Sequence, residues 1–364
     1  MDSEKILMRG NDVICEAAIR AGCQAYFGYP ITPQNEMPAY MAKHMPERGR
    51  IFIQAESELA AIVMVFGASC SGVRAMTSSS SPGMSLKQEG ISYAAGADIP
   101  CVIVNVARSG PGLGNIAAAQ ADYFQATRGG GHGDYYCIVL APQSVQECAD
   151  LTYLAFDLAD QYRMPVIVLA DGVIGQMAEG VILPPEKAAA DIPKRSWSVG
   201  RMAETAAADG TVRKSRHITS LDLTPQSLEA AIKARFQRYQ TIKEKELRFQ
   251  ALGTSGADIV LVAYGTSARV CLGAKKLAEN EGIKAGILRP ITLWPFPYEP
   301  LGKIAENGKP LLAVEMSMGQ MVEDVRLAAD GKAPVHLLGR SGGVIPTEEE
   351  VFAEMKKILQ RSQA

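Results

Sequence analysis

No stretch of this 364-residue chain offers the roughly 18–20 uninterrupted apolar residues of a membrane span; its most apolar segment is broken by Gly67, Ser69 and Ser71. Residues 1–5 lack a basic region followed by an apolar core, so no secretory leader is expected. Neither sign of charge dominates: a net charge of -2 leaves no electrostatic case for nucleic acid or an anionic membrane. There is no C-x-x-C pair. Seven dispersed cysteines, an odd number, point to reduced core thiols in a cytoplasm, and away from zinc or an iron–sulfur cluster held by this chain alone. Histidine is scarce, and His132, within Gly129-Gly130-Gly131-His132-Gly133-Asp134, has no spaced acidic or cysteine partners, so it reads as structural and no metal ligand is expected. A G-x-S-x-G elbow and a Walker A sequence are both missing, which removes a hydrolase triad and a P-loop.

What is present is a soluble, globular composition long enough for two cores. Short apolar runs alternate with helical patterns: 25–27, 51–53, 74–77, 100–106, 137–140 and 164–169 read as strands. Asn11 or Asp12 is expected to cap the first helix, and Pro33 to open the second. Such alternation predicts a parallel sheet covered on both faces, with function at the carboxyl ends of its strands. Thr32, Glu58, Ser78 to Ser81 and Arg108 all fall just past strand ends, on one rim. The pattern breaks between about 184 and 256, where a basic stretch (Arg213, Lys214, Arg216, His217) precedes a charged helix. That stretch reads as solvated surface, with phosphate or partner binding as the alternative. A second α/β unit begins near Asp258. The expected division is 1–190, a linking segment 191–255, and 256–364.

Residues 54–72 organise the chain. Glu56 and Glu58 lead into a nearly uncharged helix expected to be buried, directly after an apolar strand. Acids at a helix start are ordinary caps. A carboxyl partly desolvated there would instead be pushed up in pKa and become a proton donor near neutral pH. After residues 100–106 comes Arg108-Ser109-Gly110-Pro111-Gly112-Leu113-Gly114-Asn115, which lacks the third glycine of a dinucleotide fingerprint because Asn115 stands there. Arg108 is left as a lone cation, suited to a carboxylate or to a salt bridge. The hydroxyl-rich Ser78-Ser79-Ser80-Ser81-Pro82-Gly83 can cap a helix or hold a polar ring.

Four motifs carry a family resemblance: Gly28-Tyr29-Pro30-Ile31-Thr32-Pro33, Glu56-Ser57-Glu58-Leu59-Ala60-Ala61, Thr77 through Gly83, and Arg108-Ser109-Gly110-Pro111-Gly112. With these the chain resembles, over its whole length, the alpha-type subunit of 2-oxoacid:ferredoxin oxidoreductases. Residues 121–126 and 130–134 are more similar to the 2-oxoisovalerate (branched-chain) group than to the 2-oxoglutarate group. Residues 262–266 and 288–290 resemble the C-terminal domain of transketolase-like enzymes. The resemblance implies an α/β, pyrimidine-type thiamine diphosphate-binding parallel-sheet domain followed by a transketolase C-terminal-like domain. It implies that Glu58 hydrogen-bonds the aminopyrimidine N1′, with Glu56 as a cap. Thr32 and Arg108 would bind the substrate carboxylate, and Tyr29, Pro30, Ile31, Ser79, Ser80 and Ser81 would line the cofactor pocket. Ser81 departs from the glycine that relatives often carry, which puts the geometry of that loop in question.

The diphosphate and magnesium motif of such enzymes, Gly-Asp-Gly with a later Asn, is not met by Ala170-Asp171-Gly172 or Ala208-Asp209-Gly210. The resemblance therefore implies half an active site. A beta-type subunit would grip the diphosphate and Mg2+ and carry an iron–sulfur cluster, while gamma-type and ferredoxin-like delta-type subunits complete the assembly. The implied reaction decarboxylates a 2-oxoacid, passes the acyl group to coenzyme A and the electrons to ferredoxin. A lipoamide-linked or transketolase-like subunit and a non-catalytic scaffold are the rival readings.

Overall fold

A computed structural model describes residues 5–193, 195–199 and 217–363; Arg213, Lys214 and Arg216 lie outside them. The strands are β1 (Ile6–Arg9), β2 (Ala25–Gly28), β3 (Ile51–Gln54), β4 (Ala75–Ser79), β5 (Cys101–Ala107), β6 (Ile138–Leu140), β7 (Pro165–Asp171), β8 (Ala178–Val181), β9 (Phe249–Leu252), β10 (Ile259–Val262), β11 (Ala285–Pro290), β12 (Thr292–Trp294), β13 (Leu311–Glu315) and β14 (Val335–Gly339). The helices are α1 (Gly10–Arg20), α2 (Glu36–Glu47), α3 (Glu58–Cys70), α4 (Ser81–Gly96), α5 (Tyr123–Thr127), α6 (Val145–Tyr162), α7 (Gly172–Gln176), α8 (Pro225–Lys245), α9 (Gly265–Asn280), α10 (Tyr298–Ala305), α11 (Met321–Ala329) and α12 (Glu348–Gln363).

The first sheet runs β12-β6-β7-β5-β4-β2-β3, with all neighbours parallel except the β12–β6 pair. Its central strands β5 and β7 are buried at every position, so their sequences are continuous apolar runs rather than alternating ones. The second sheet runs β14-β13-β10-β11-β9, with β9 antiparallel at one edge. A chain segment that follows β11 of the second sheet, β12, thus extends the first sheet. Two polar clusters weld the sheets together. Asp171 accepts from Thr266 Oγ1 (2.7 Å) and Thr266 N (3.1 Å), and Gln120 bonds Ser267, the Tyr264 carbonyl and Met316 N. Alongside, Arg289 and Glu147 form a two-bond pair at 2.8 and 2.7 Å.

Several local expectations are corrected. Arg9, whose side chain makes no capping bond, occupies the N-cap of α1, because Asn11 instead bonds the Pro33 carbonyl (2.8 Å) and Glu36 (2.9 Å). Pro33 follows a cis peptide bond and belongs to the turn, so α2 opens only at Glu36. The antiparallel pair β1–β8 was not foreseen, since neither four-residue strand has a distinctive pattern. Helix α3 is not buried on all sides. Leu59 is 45 % and Val63 52 % exposed; Ile51 and Ile53 on the edge strand β3 and Leu86 and Tyr93 on α4 are exposed as well.

Candidate active site

Four strand ends bring the expected residues to one rim: the turn after β2 carries Thr32, β3 leads to Glu58, β4 to Ser79–Ser81, and β5 to Arg108. Ser57, not Glu56, caps α3, its hydroxyl accepting from Ala60 N (3.2 Å), and Glu56 is exposed. An N-cap side chain accepts from the amide two or three residues on, and Ser57 stands three before Ala60. Glu58 is therefore the first helical residue, and it is buried.

Helix α4 lies directly on this carboxyl. A Cβ built on Gly83 would stand 2.5 Å from Glu58 Oε1 and 2.1 Å from Ser79 Oγ, so only glycine allows the approach. Glu58 and Ser79 thus face one small space. The Ser79 hydroxyl in it, and that of Ser80 next along the chain, are buried and have no hydrogen-bond partner among the described residues. Native interiors rarely leave buried hydroxyls unpaired, since desolvation costs on the order of 1–3 kcal/mol each.

Arg108 is buried as well. Its Nη1 donates to the Thr32 carbonyl (2.9 Å) and its Nη2 to the Leu113 carbonyl (3.0 Å), while its Nε has no partner. Among the described residues no carboxylate pairs with it. A buried guanidinium without an anion is costly unless something else supplies the negative charge. Thr32 Oγ1 accepts from Asn35 Nδ2 (3.1 Å), leaving its own O–H free to donate.

Ser81 resolves the question raised by its side chain. It is the first residue of α4 and has no positive φ, so no glycine is required. Its hydroxyl donates to Asp122 (2.6 Å), lies 3.0 Å from the Arg108 carbonyl and accepts from Arg108 N (2.9 Å). The side chain is spent on fixing the Arg108 backbone. The 29–34 turn is tied down separately: Gln34 donates to the Tyr29 carbonyl (3.1 Å) and accepts from Ser78 Oγ. Tyr29 and Ile31 are half-buried and Pro30 is exposed, and among the described residues no hydrogen bond joins them to Glu58. His132 is exposed, its carbonyl accepting from Ser92 (2.7 Å).

Three groups at the rim were missed. Asn105 donates to Asp122 (2.8 Å) while its own Oδ1 is buried and unpartnered. Asp122 is raised above the usual carboxylate range by burial, against the bonds from Ser81 and Asn105. Lys87 is wholly buried behind Glu58. A polar residue inside an apolar strand run was the available signal for Asn105; Lys87 gave none, because Glu89 beside it made the turn look solvated. Among the described residues no group of three or more His, Cys, Asp or Glu could hold a metal ion.

Comparison with known proteins decides the family. Residues 16–243 match the model of the pyruvate flavodoxin/ferredoxin oxidoreductase thiamine diphosphate-binding domain, and 257–351 that of pyruvate:ferredoxin oxidoreductase core domain II. The chain belongs to this oxidoreductase family. Ketoisovalerate oxidoreductase subunit VorB of Methanothermobacter marburgensis is 48% identical over 98% of both chains. A 2-oxoglutarate synthase subunit KorA from the same organism is 38% identical, covering 96% of this chain and 98% of the other. Among solved structures, the 2-oxoglutarate:ferredoxin oxidoreductase of Magnetococcus marinus, with 2-oxoglutarate, coenzyme A and succinyl-CoA bound, superposes with TM-score 0.84 at 27% identity. That match covers 98% of this chain and 66% of the other. A split-gene transketolase shares the fold alone, with TM-score 0.56 at 15% identity over 96% of each chain. The α/β thiamine-domain fold and its transketolase-like second unit are those expected from the sequence.

Proposed function

We propose that this oxidoreductase chain is the pyrimidine-binding subunit of a thiamine diphosphate-dependent enzyme that converts 2-oxoisovalerate and coenzyme A to acyl-CoA and carbon dioxide, passing two electrons to ferredoxin. The observation that carries the reading is the Glu58–Gly83–Ser79 cradle, where a buried carboxyl faces hydroxyls with no protein partner. Bound there, thiamine diphosphate supplies the nucleophilic carbon and the electron sink for decarboxylation. Glu58, buried at the start of α3, holds a proton at the pyrimidine nitrogen. Ser79 and Ser80 take the polar edge of the ring. Arg108 gives the 2-oxoacid carboxylate the counter-charge it lacks in the free chain, and the Thr32 hydroxyl donates to the carbonyl or carboxylate beside it. Tyr29, Pro30 and Ile31 border the same pocket.

The chain does not complete the site. The only candidate diphosphate motif described, at Asp171, is consumed by α7 and Thr266. Helix α3, the edge strand β3 and helix α4 each expose apolar side chains (Leu59 and Val63, Ile51 and Ile53, Leu86), which suits cover by a second subunit. A beta-type chain bringing Mg2+, the diphosphate site and an iron–sulfur cluster fits that role, with gamma- and delta-type chains beyond it. All seven cysteines are free and buried, consistent with a reducing cytoplasm, and no described helix is long and apolar enough to cross a membrane.

The similarity to 2-oxoglutarate enzymes supports a second substrate reading. A panel of 2-oxoisovalerate, 2-oxoglutarate and pyruvate, assayed with coenzyme A and ferredoxin on the reconstituted complex, separates the two. The isolated chain is expected to show no turnover. Glu58→Gln in the complex is expected to lose about 10²–10⁴-fold in activity. Turnover by the chain alone, or full activity of the Gln variant, would overturn the reading in favour of a self-sufficient enzyme or a scaffold.

A further inference from the structure

Helix α4 carries a lysine that the proposed reaction does not use. Lys87 is fully shielded from solvent, one turn beyond the Gly83 that presses on the Glu58 carboxyl. Its Nζ donates to the Glu58 backbone carbonyl (3.2 Å) and to Thr77 Oγ1 of β4 (3.1 Å). Among the described residues no carboxylate is hydrogen-bonded to it. Burying an amine this completely is costly, and desolvation pushes it down to about 7, with the charge of Glu58 working in the opposite direction. Glu58 is the one ionisable group whose charge acts on it; what β4 presents is the Thr77 hydroxyl.

An isosteric Leu or Met would fill this position at lower cost, so the amine needs a purpose. Both of its contacts point to one. The bond to the Glu58 carbonyl fixes the first residue of α3, the point from which the carboxyl is aimed. The Thr77 bond ties that residue to the strand bearing Ser79.

Resting on the thiamine reading above, we propose that Lys87 is a positioning residue that holds Glu58 at the start of α3 and so aims its carboxyl. It touches neither ring nor substrate. Its effect passes entirely through Glu58.

The test uses the reconstituted complex and two readouts: thiamine diphosphate affinity from protein fluorescence quenching of the apo-complex, and the separate kcat and KM for the 2-oxoacid. Lys87→Met is expected to weaken thiamine diphosphate binding about tenfold and to lower kcat with KM for the 2-oxoacid unchanged, since Glu58 loses its anchor and the substrate groups do not. Lys87→Gln keeps a donor. It must recover part of both losses, and it serves if the Met variant does not assemble. On a Glu58→Ala background, Lys87→Met should change neither readout. A lysine that merely packs α4 would act equally on both backgrounds and would not be rescued by Gln; that result, or an unchanged affinity in an assembled variant, overturns the proposal. If Glu58→Gln itself leaves affinity and turnover intact, the thiamine reading fails first. If Glu58→Gln is crippled while Lys87→Met is not, only the role of Lys87 fails.

Discussion

The rim around Glu58 and the junction between the two sheets are built from the same kinds of polar residue, yet they are treated in opposite ways. At the junction, Asp171, Thr266, Ser267, Gln120, Arg289 and Glu147 satisfy one another. At the rim, Ser79 Oγ, Ser80 Oγ, Asn105 Oδ1 and Arg108 Nε are buried with nothing to bond. Packing alone cannot explain the contrast, because both regions are equally dry. On the function proposed above, the incomplete groups of the rim are completed by the bound cofactor and substrate.

Arg108 offers the strongest way to break this comparison. Replacing it by Met should raise KM for the 2-oxoacid in the complex by roughly 10–100-fold, the value of a charged bidentate contact at about 1.5–3 kcal/mol. Arg108→Lys should recover part of the loss, since it keeps charge but not the fork. Thermal unfolding of the isolated chain should change little by comparison, because the guanidinium leaves only two carbonyls, those of Thr32 and Leu113, to find water. A large loss of stability with an unaltered KM would make Arg108 a second junction rather than a ligand group.

Much of the rim was legible in the sequence because parallel α/β chemistry has a fixed address. A short apolar strand, a turn and a helix place whatever follows the strand on one edge, and Thr32, Glu58, Ser79 and Arg108 all obeyed. Legibility ended where a contact is made between distant segments. Ser81 could not be read as the anchor of Arg108 from either segment alone. Asp171 looked like part of a degraded cofactor motif until Thr266, far along the chain, was seen to use it. Helix α3 was misjudged for a related reason. Its apolar composition predicts burial, but composition does not distinguish burial within the chain from the cover by a second polypeptide proposed above.

Asp171 sharpens the comparison from the other side. Both of its oxygens accept hydrogen bonds, Oδ1 from Val173 N, Ile174 N and Thr266 Oγ1 and Oδ2 from Thr266 N. An Asn there must turn its amide toward one of these donors. The Asp171→Asn chain should lose about 1–3 kcal/mol of stability, read as a lower Tm and a lower denaturant midpoint. Substrate KM and thiamine diphosphate affinity of the assembled complex should be unmoved.

The smallest expected effects are the most diagnostic, because their signs differ. Ser79→Ala removes a hydroxyl that bonds nothing in the isolated chain, so stability should hold or rise by up to about 1 kcal/mol as a desolvation cost disappears. In the complex the same substitution should weaken thiamine diphosphate about three- to tenfold, one ordinary hydrogen bond at about 0.5–1.5 kcal/mol. Thr266→Val at the junction is the mirror image: its hydroxyl is 2.7 Å from Asp171, so stability should fall by about 1 kcal/mol while cofactor affinity stays the same. Calorimetry on the isolated chains and a thiamine diphosphate titration of the complexes measure both quantities for both variants. Matching signs in the two variants would mean that the unpartnered hydroxyls are ordinary packing defects. Opposite signs would mean that the rim is held open, at a cost to the free chain, for a ring that arrives with the partner subunit.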